Sequence, residues 1–295
     1  MQSADFLSAV FFYLKVGENL NQNWIVENLN NAFSTWNGKL GELWGLVTTG
    51  PQTFKGGAVW SVMQTLHNGM VGIGYALVVL FFAISLCKNT MNFHELKRPE
   101  AAIHYFLRFV AAKALVGYGM DIMLNVFSIC NGIATDIADS MGGISEAMVS
   151  LPAEMQTAIE NVGFLASIPL WLVTILGSLF ITVLSFVMIL TVYGRFFRLY
   201  MYTALAPLPL AAFAGESTQS VGISCLKSYV GVCLEGAVIV LACVIYSAFV
   251  STPTVASGEA TTIVWSYLAE TVFNMLVLVG LIKGSDRIIH EMMGL

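Results

Sequence analysis

Four ionisable residues, Arg108, Lys113, Glu235 and Glu270, fall inside apolar stretches of this chain. A charge at mid-membrane costs about 2.5–3.5 kcal/mol or more, so such a residue turns to a bundle interior, a cavity or an opposite charge. Counted at about 1.5 Å per residue, Arg108 and Glu235 lie at one depth and Lys113 and Glu270 at a deeper one. The expectation is two ion pairs, Arg108–Glu235 and Lys113–Glu270, made within one chain or between subunits. The competing reading has the two cations, Arg108 above all, snorkelling to the cytoplasmic interface.

Other chemistries find little support. His67, His94, His104 and His290 stand far apart, with no HExxH and no Cys/His cluster. Cys87, Cys130, Cys225, Cys233 and Cys243 form no CxxC and mostly occupy apolar runs, so they read as small packing residues. There is no GxxxxGK[ST] loop for ATP and no GxSxG. Asp136 and Asp139 read as a solvated helix face, and no internal repeat of the transporter kind is visible. No cofactor, metal or catalytic role is expected.

The elements that must position the charges follow from composition. Of 295 residues 57% are hydrophobic and 11% charged, against about 25% charged in a soluble domain, and mean hydropathy is +0.77. The chain reads as an all-α integral membrane protein. The net charge of −5 advertises no nucleic-acid surface, and Met1–Asp5 lacks the positive region of a secretory signal.

Residues 1–57 are expected as an extracytoplasmic or interfacial region. An amphipathic helix on Phe6, Leu7, Val10, Phe11 and Leu14 opens it, and Trp24, Trp36 and Trp44 then stand at headgroup level. A small helical hairpin packed on the membrane part is the alternative. The polytopic part, 58–295, has spans near Val59–Cys87, Ala101–Met123, Ile168–Val192, Tyr229–Val250 and Ile263–Ile282. The second continues towards Ile133. An acidic extracytoplasmic loop, 121–162, has no Lys or Arg between Asp121 and Val162.

A basic corner at Arg195 and Arg198 follows the third span, and a short piece, 199–213, carries Pro207 and Pro209. Lys and Arg concentrate in short cytoplasmic loops. Placing Lys88–Glu100 inside puts 1–57 outside, 121–162 outside, and Arg195 and Arg198 inside. If 199–213 dips in and returns as a broken, re-entrant helix, then Lys227 and the tail with Lys283 and Arg287 are inside and Ser251–Thr262 is outside. The expected architecture is five spans plus one re-entrant segment, N-terminus out and C-terminus in the cytoplasm.

The run from Gly194 to Glu216, GRFFRLYMYTALAPLPLAAFAGE, and its continuation Lys227 to Ala242, KSYVGVCLEGAVIVLA, resemble the TrbL-like polytopic inner-membrane proteins of type IV secretion and conjugation systems, in the form found on conjugative elements of Gram-positive bacteria. The resemblance is strongest from about Ile168 to Leu295. It implies a bacterial cytoplasmic-membrane protein with an extracytoplasmic N-terminus and a cytoplasmic C-terminus. It also implies a homo-oligomeric subunit of the translocation channel for single-stranded DNA with its relaxase, or for protein, working with other secretion subunits and separate ATPases.

On that reading Pro207, Pro209 and the buried charges shape the pore or lock subunits. Arg195 and Arg198 stand near a cytoplasmic mouth where phosphate backbones favour positive lining, or simply obey the positive-inside rule. The alternatives are a secondary transporter or small-solute channel using Glu235 and Glu270, and a scaffold without a pathway of its own.

Overall fold

The computed structural model describes residues 2–90, 99–140, 148–162, 164–249 and 260–294, with side chains from 24 onward except next to the breaks. The Lys97–Arg98 pair, Gly142–Gly143, Glu146 and most of the 251–262 loop, with Ser257, therefore lie outside the described residues. Among the described residues every regular element is helical. The helices are α1 (Gln2–Thr48), α2 (Ala58–Thr90), α3 (Pro99–Gly117), α4 (Gly119–Ser140), α5 (Ala153–Glu160), α6 (Phe164–Leu205), α7 (Pro207–Ala211), α8 (Gln219–Phe249) and α9 (Ala260–Met293), with 3-10 turns at Phe54–Gly57 and Ala212–Ala214. Among the described residues four spans are long and apolar enough to cross a membrane: Phe54–Lys88, Ile168–Leu205, Gln219–Phe249 and Thr262–Met293. The bent pair α3–α4 passes the same test together and makes a fifth if it is one broken span. The chain is an all-α membrane protein.

The contacts divide it into two units. The first comprises 1–44, 141–191 and 242–283; the second comprises 45–140, 192–241 and 284–295. Residues 2–57 form one helix, α1, followed by the turn at Phe54–Gly57, with Pro51 just beyond the helix end. The amphipathic opening is the first third of α1, not a helix of its own, and no hairpin is present in α1.

In the first unit α1 buries Ile25, Leu29, Phe33, Trp36, Leu40 and Leu43 at three- and four-residue spacing. Trp36 is a core residue at 0% exposure, whereas Trp24 is exposed and its ring lies tilted 5.7 Å from that of Trp171. Asn28 Nδ2 donates to Ser178 Oγ (3.0 Å), and Phe33 meets Tyr267 edge-on (6.5 Å). The Asn37 amide reads the Val149 backbone twice, giving a hydrogen bond to its carbonyl (2.8 Å) and accepting one from its N–H (2.9 Å). Tyr267 Oη donates to the Ser150 carbonyl (3.0 Å). A segment without helix is tied down this way because buried backbone polar groups need partners.

In the second unit the expected continuous second span is broken. α3 and α4 meet at 71° around Gly117-Tyr118-Gly119. A Cβ at Gly119 would lie 3.1 Å from Leu210 Cδ1, and one at Gly117 would lie 2.8 Å from Tyr75 Oη, so both glycines admit close neighbours. α4 covers the first half of the acidic stretch and buries Met123, Phe127, Cys130, Ala134 and Ala138, leaving Asp136 and Asp139 exposed.

The largest departure concerns α6. It runs unbroken for 42 residues, about 63 Å, straight through Gly194–Arg198. The basic corner is therefore no corner, and 199–205 is the last two turns of the same helix. The break comes at Ala206, ahead of Pro207 and Pro209 in α7. Pro207 has no N–H, which orphans the Thr203 carbonyl four residues back. His67 Nδ1 supplies the missing donor at 2.7 Å; because a carbonyl only accepts, the ring proton sits on Nδ1.

Beyond Arg195 the chain travels beside α2 in one direction. Phe54 stacks on Phe196 (4.1 Å), His67 meets Thr203, a Cβ at Gly74 would lie 3.0 Å from Pro207, and one at Gly215 would lie 3.1 Å from the Phe81 carbonyl. The order of contacts is the same along both paths, so 199–213 runs alongside α2. The physical reason is local: nothing between Pro169 and Pro207 interrupts helical hydrogen bonding, and Gly194 alone, at about 1 kcal/mol relative to Ala, does not end a helix held by packing.

Candidate functional site: a buried charge core

The second unit encloses two arginines one turn apart on α6. Arg195 is fully buried. Its Nε donates to the Val232 carbonyl (3.2 Å), Nη2 to the Cys233 carbonyl (3.1 Å) and Nη1 to the Val47 carbonyl (3.5 Å), and the guanidinium lies 5.8 Å from the Phe127 ring centroid. Val47 belongs to the last turn of α1, where carbonyls lack helical partners and the helix dipole favours a cation. Asn131 Nδ2 satisfies the next carbonyl, that of Thr48, at 3.1 Å. On α8 the room comes from Gly236: a Cβ there would stand 2.6 Å from the guanidinium carbon and both terminal nitrogens.

Arg198 joins three helices. Its Nη2 donates to both oxygens of Glu235 on α8 (2.8 and 2.7 Å), and its Nη1 pairs with Asp286 on α9. Ser285 Oγ donates to Glu235 Oε1 (3.3 Å). Glu235 is 1% exposed, while Arg198 and Asp286 keep 29% and 43% of their side-chain surface. Two cations and two carboxylates thus balance within one cluster, and buried charges survive in apolar surroundings only when paired and hydrogen-bonded in this manner. Around it Tyr229 Oη donates to the Met123 carbonyl (2.8 Å) and Tyr200 Oη to the Pro51 carbonyl (2.9 Å). The arrangement fastens the end of α1, α4, α6, α8 and the tail of α9. Among the described residues no group of three His, Cys, Asp or Glu could hold a metal.

The expected pair Arg108–Glu235 is replaced. Arg108 Nη2 donates to Gln219 Oε1 (3.1 Å), its Nη1 lies 4.0 Å from Glu216, and Glu235 takes Arg198 instead. Depth counting failed because it ended the third helix at Val192; once α6 continues, Arg198 lies in the bundle beside Glu235. Arg195 is accordingly buried inside the fold and Arg198 partly so. Lys113 and Glu270 belong to different units, and each is exposed on its own.

Sequence reasoning missed Asp286, Ser285, Gly236 and His67. Two signals were present: the Arg195-x-x-Arg198 spacing, which puts both guanidinia on one helix face, and an Asp just beyond the last apolar run.

These features define a polytopic all-α membrane protein whose long spans are pinned by a neutralised charge core. A family model described as TrbL/VirB6 plasmid conjugal transfer like protein matches residues 36–207, more than half of the chain, and the chain belongs to that family. The match runs from α1 through α6 to Pro207, so it takes in Arg195 and Arg198. It also reaches much further towards the N-terminus than the motifs from Ile168 onward that first carried the resemblance. No curated protein and no solved structure matches the chain.

Proposed function

We propose that this protein is a membrane-embedded channel or scaffold subunit of a conjugative, type IV secretion machine, without catalysis of its own. The observation that carries the reading is the family match over 36–207, on a chain whose spans are long, apolar and locked by paired charges. A saturated core of this kind suits a part that must hold its shape while cargo and energy come from elsewhere. Separate ATPases drive transfer, other secretion subunits surround this one, and contact with single-stranded DNA or its relaxase is transient.

The orientation that goes with it is N-terminus outside and C-terminus in the cytoplasm. α2 then crosses inward and α3 outward. α6 and α7 cross inward as one path, α8 outward and α9 inward, so Lys227, Lys283 and Arg287 are inside, as the positive-inside rule asks. Glu235 as a transported-ion site fits poorly, because Arg198 and Ser285 occupy its oxygens.

The test is transfer frequency from donors carrying an in-frame deletion of the gene. Transfer that collapses, returns with a plasmid copy and leaves growth unchanged supports the reading. Unaltered transfer removes it.

A further inference from the structure

The charge core takes a backbone carbonyl from Cys233 but uses no thiol. Cys130 lies on the buried stripe of α4 with Met123 and Phe127, and Cys233 on the buried face of α8 with Tyr229 and Val232. The two faces meet. Tyr229 Oη donates to the Met123 carbonyl (2.8 Å), and Arg195 bridges the helices, its Nη2 on the Cys233 carbonyl (3.1 Å) and its guanidinium 5.8 Å from the Phe127 ring centroid. Phe127 and Cys130 stand three residues apart on α4 and so share a face. The side chains of Cys130 and Cys233 touch each other there, and the charge of Arg195 acts on both.

Two thiols in contact have a chemistry that one alone lacks. An oxidised thiol without a partner goes on to irreversible acids, whereas one with a partner condenses to a disulfide. We propose that Cys130 and Cys233 are a redox-modification site, at which a peroxide oxidant closes a disulfide that ties α4 to α8 beside Arg195. In the first step one sulfur, as thiolate, attacks hydrogen peroxide. An S–O bond forms, the O–O bond breaks, and the leaving hydroxide takes the thiol's proton as water. In the second step the other sulfur attacks the sulfenic sulfur. The S–S bond forms, the S–O bond breaks, and the hydroxyl leaves with the second thiol proton as another water. Two electrons pass from the pair of sulfurs to one peroxide. A transient thiolate in buried surroundings needs a cation beside it, and Arg195 already stands there. Hydrogen peroxide is small and neutral, so local opening of the helices admits it. The site rests on neither the orientation nor the function proposed above.

The experiment uses the full-length protein in native membranes, with Cys87, Cys225 and Cys243 replaced by alanine. Membranes are treated with hydrogen peroxide, quenched, denatured and labelled with a polymer-bearing maleimide that shifts the band once per free thiol. The expected result is two shifts before peroxide, none after it, and two again after a thiol reductant. Thiols that still label after peroxide overturn the proposal. Label that the reductant does not restore overturns it as well, because oxidation beyond the sulfenic stage means that no partner thiol arrived. A peroxide-dependent disulfide between two chains does the same. Wild-type protein gives a second readout that does not depend on the replaced cysteines. Treated with peroxide, alkylated and digested without reduction, it yields a peptide pair joining Cys130 to Cys233. Absence of that pair, or Cys130 joined to another cysteine in its place, overturns the assignment.

Discussion

Replacing Gly236 with alanine separates local helix preference from the charge core, because the two demand opposite signs. Gly236 lies in the interior of α8. There Gly→Ala ordinarily stabilises by roughly 0.5–1 kcal/mol through the entropy of the unfolded chain. Here the new Cβ would stand 2.6 Å from three guanidinium atoms of Arg195, which has no exposed surface into which to withdraw. The guanidinium must leave the Val232 and Cys233 carbonyls at 3.2 and 3.1 Å. Hydrogen bonds to a charged group contribute about 1.5–3 kcal/mol each, so two of them outweigh the propensity gain and leave a net loss of about 2–5 kcal/mol. The assay is equilibrium unfolding of the purified protein in detergent micelles, read by tryptophan fluorescence. Repeating the substitution in an Arg195→Ala background completes a double-mutant cycle, and there Gly236→Ala becomes neutral or stabilising. A Gly236→Ala protein at least as stable as the parent would refute the reasoning.

Three further outcomes are expected. His67→Ala leaves the Thr203 carbonyl, orphaned by Pro207, without its donor; the loss is about 1–3 kcal/mol, measured in the same unfolding assay. Asn37→Ala removes both hydrogen bonds to the Val149 backbone and releases the segment around Val149–Leu151, seen as faster limited proteolysis there with the rest of the pattern unchanged. Thr218→Cys is labelled by an impermeant maleimide only after the cytoplasmic side is opened; labelling of intact cells would reverse the proposed orientation.

The helical membrane architecture was legible because hydropathy and charge density report it directly: the apolar runs Met70–Cys87, Ile168–Val192 and Ile263–Ile282 all fall within observed spans. The break at Pro207 was legible for the same kind of reason, since a missing N–H is a property of the residue itself. What escaped was the continuity of α6. Gly194-Arg195-Phe-Phe-Arg198 carries charge enough to end an apolar run, and hydropathy alone does not tell a charge in water from one held by Val232, Cys233 and Glu235. The same blindness misassigned Glu235 to Arg108, and it did not show that the 25–43 stripe of α1 buries Trp36. Partner choice among buried charges depends on the rotation and register of packed helices, which residue counting does not supply.

The measurement that bears most directly on the account is conjugative transfer from deletion donors expressing either the wild-type chain or Glu235→Leu, with membrane abundance and growth recorded alongside. Glu235→Leu leaves Arg198 with Asp286 alone and removes the acceptor of one Ser285 hydrogen bond. Breaking a buried pair from one side costs about 3–5 kcal/mol. The account predicts that the wild-type chain restores transfer, that Glu235→Leu does not, and that growth is the same in both. Full transfer without the chain would contradict its place in the machine, and full transfer with Glu235→Leu would contradict the role of the charge core.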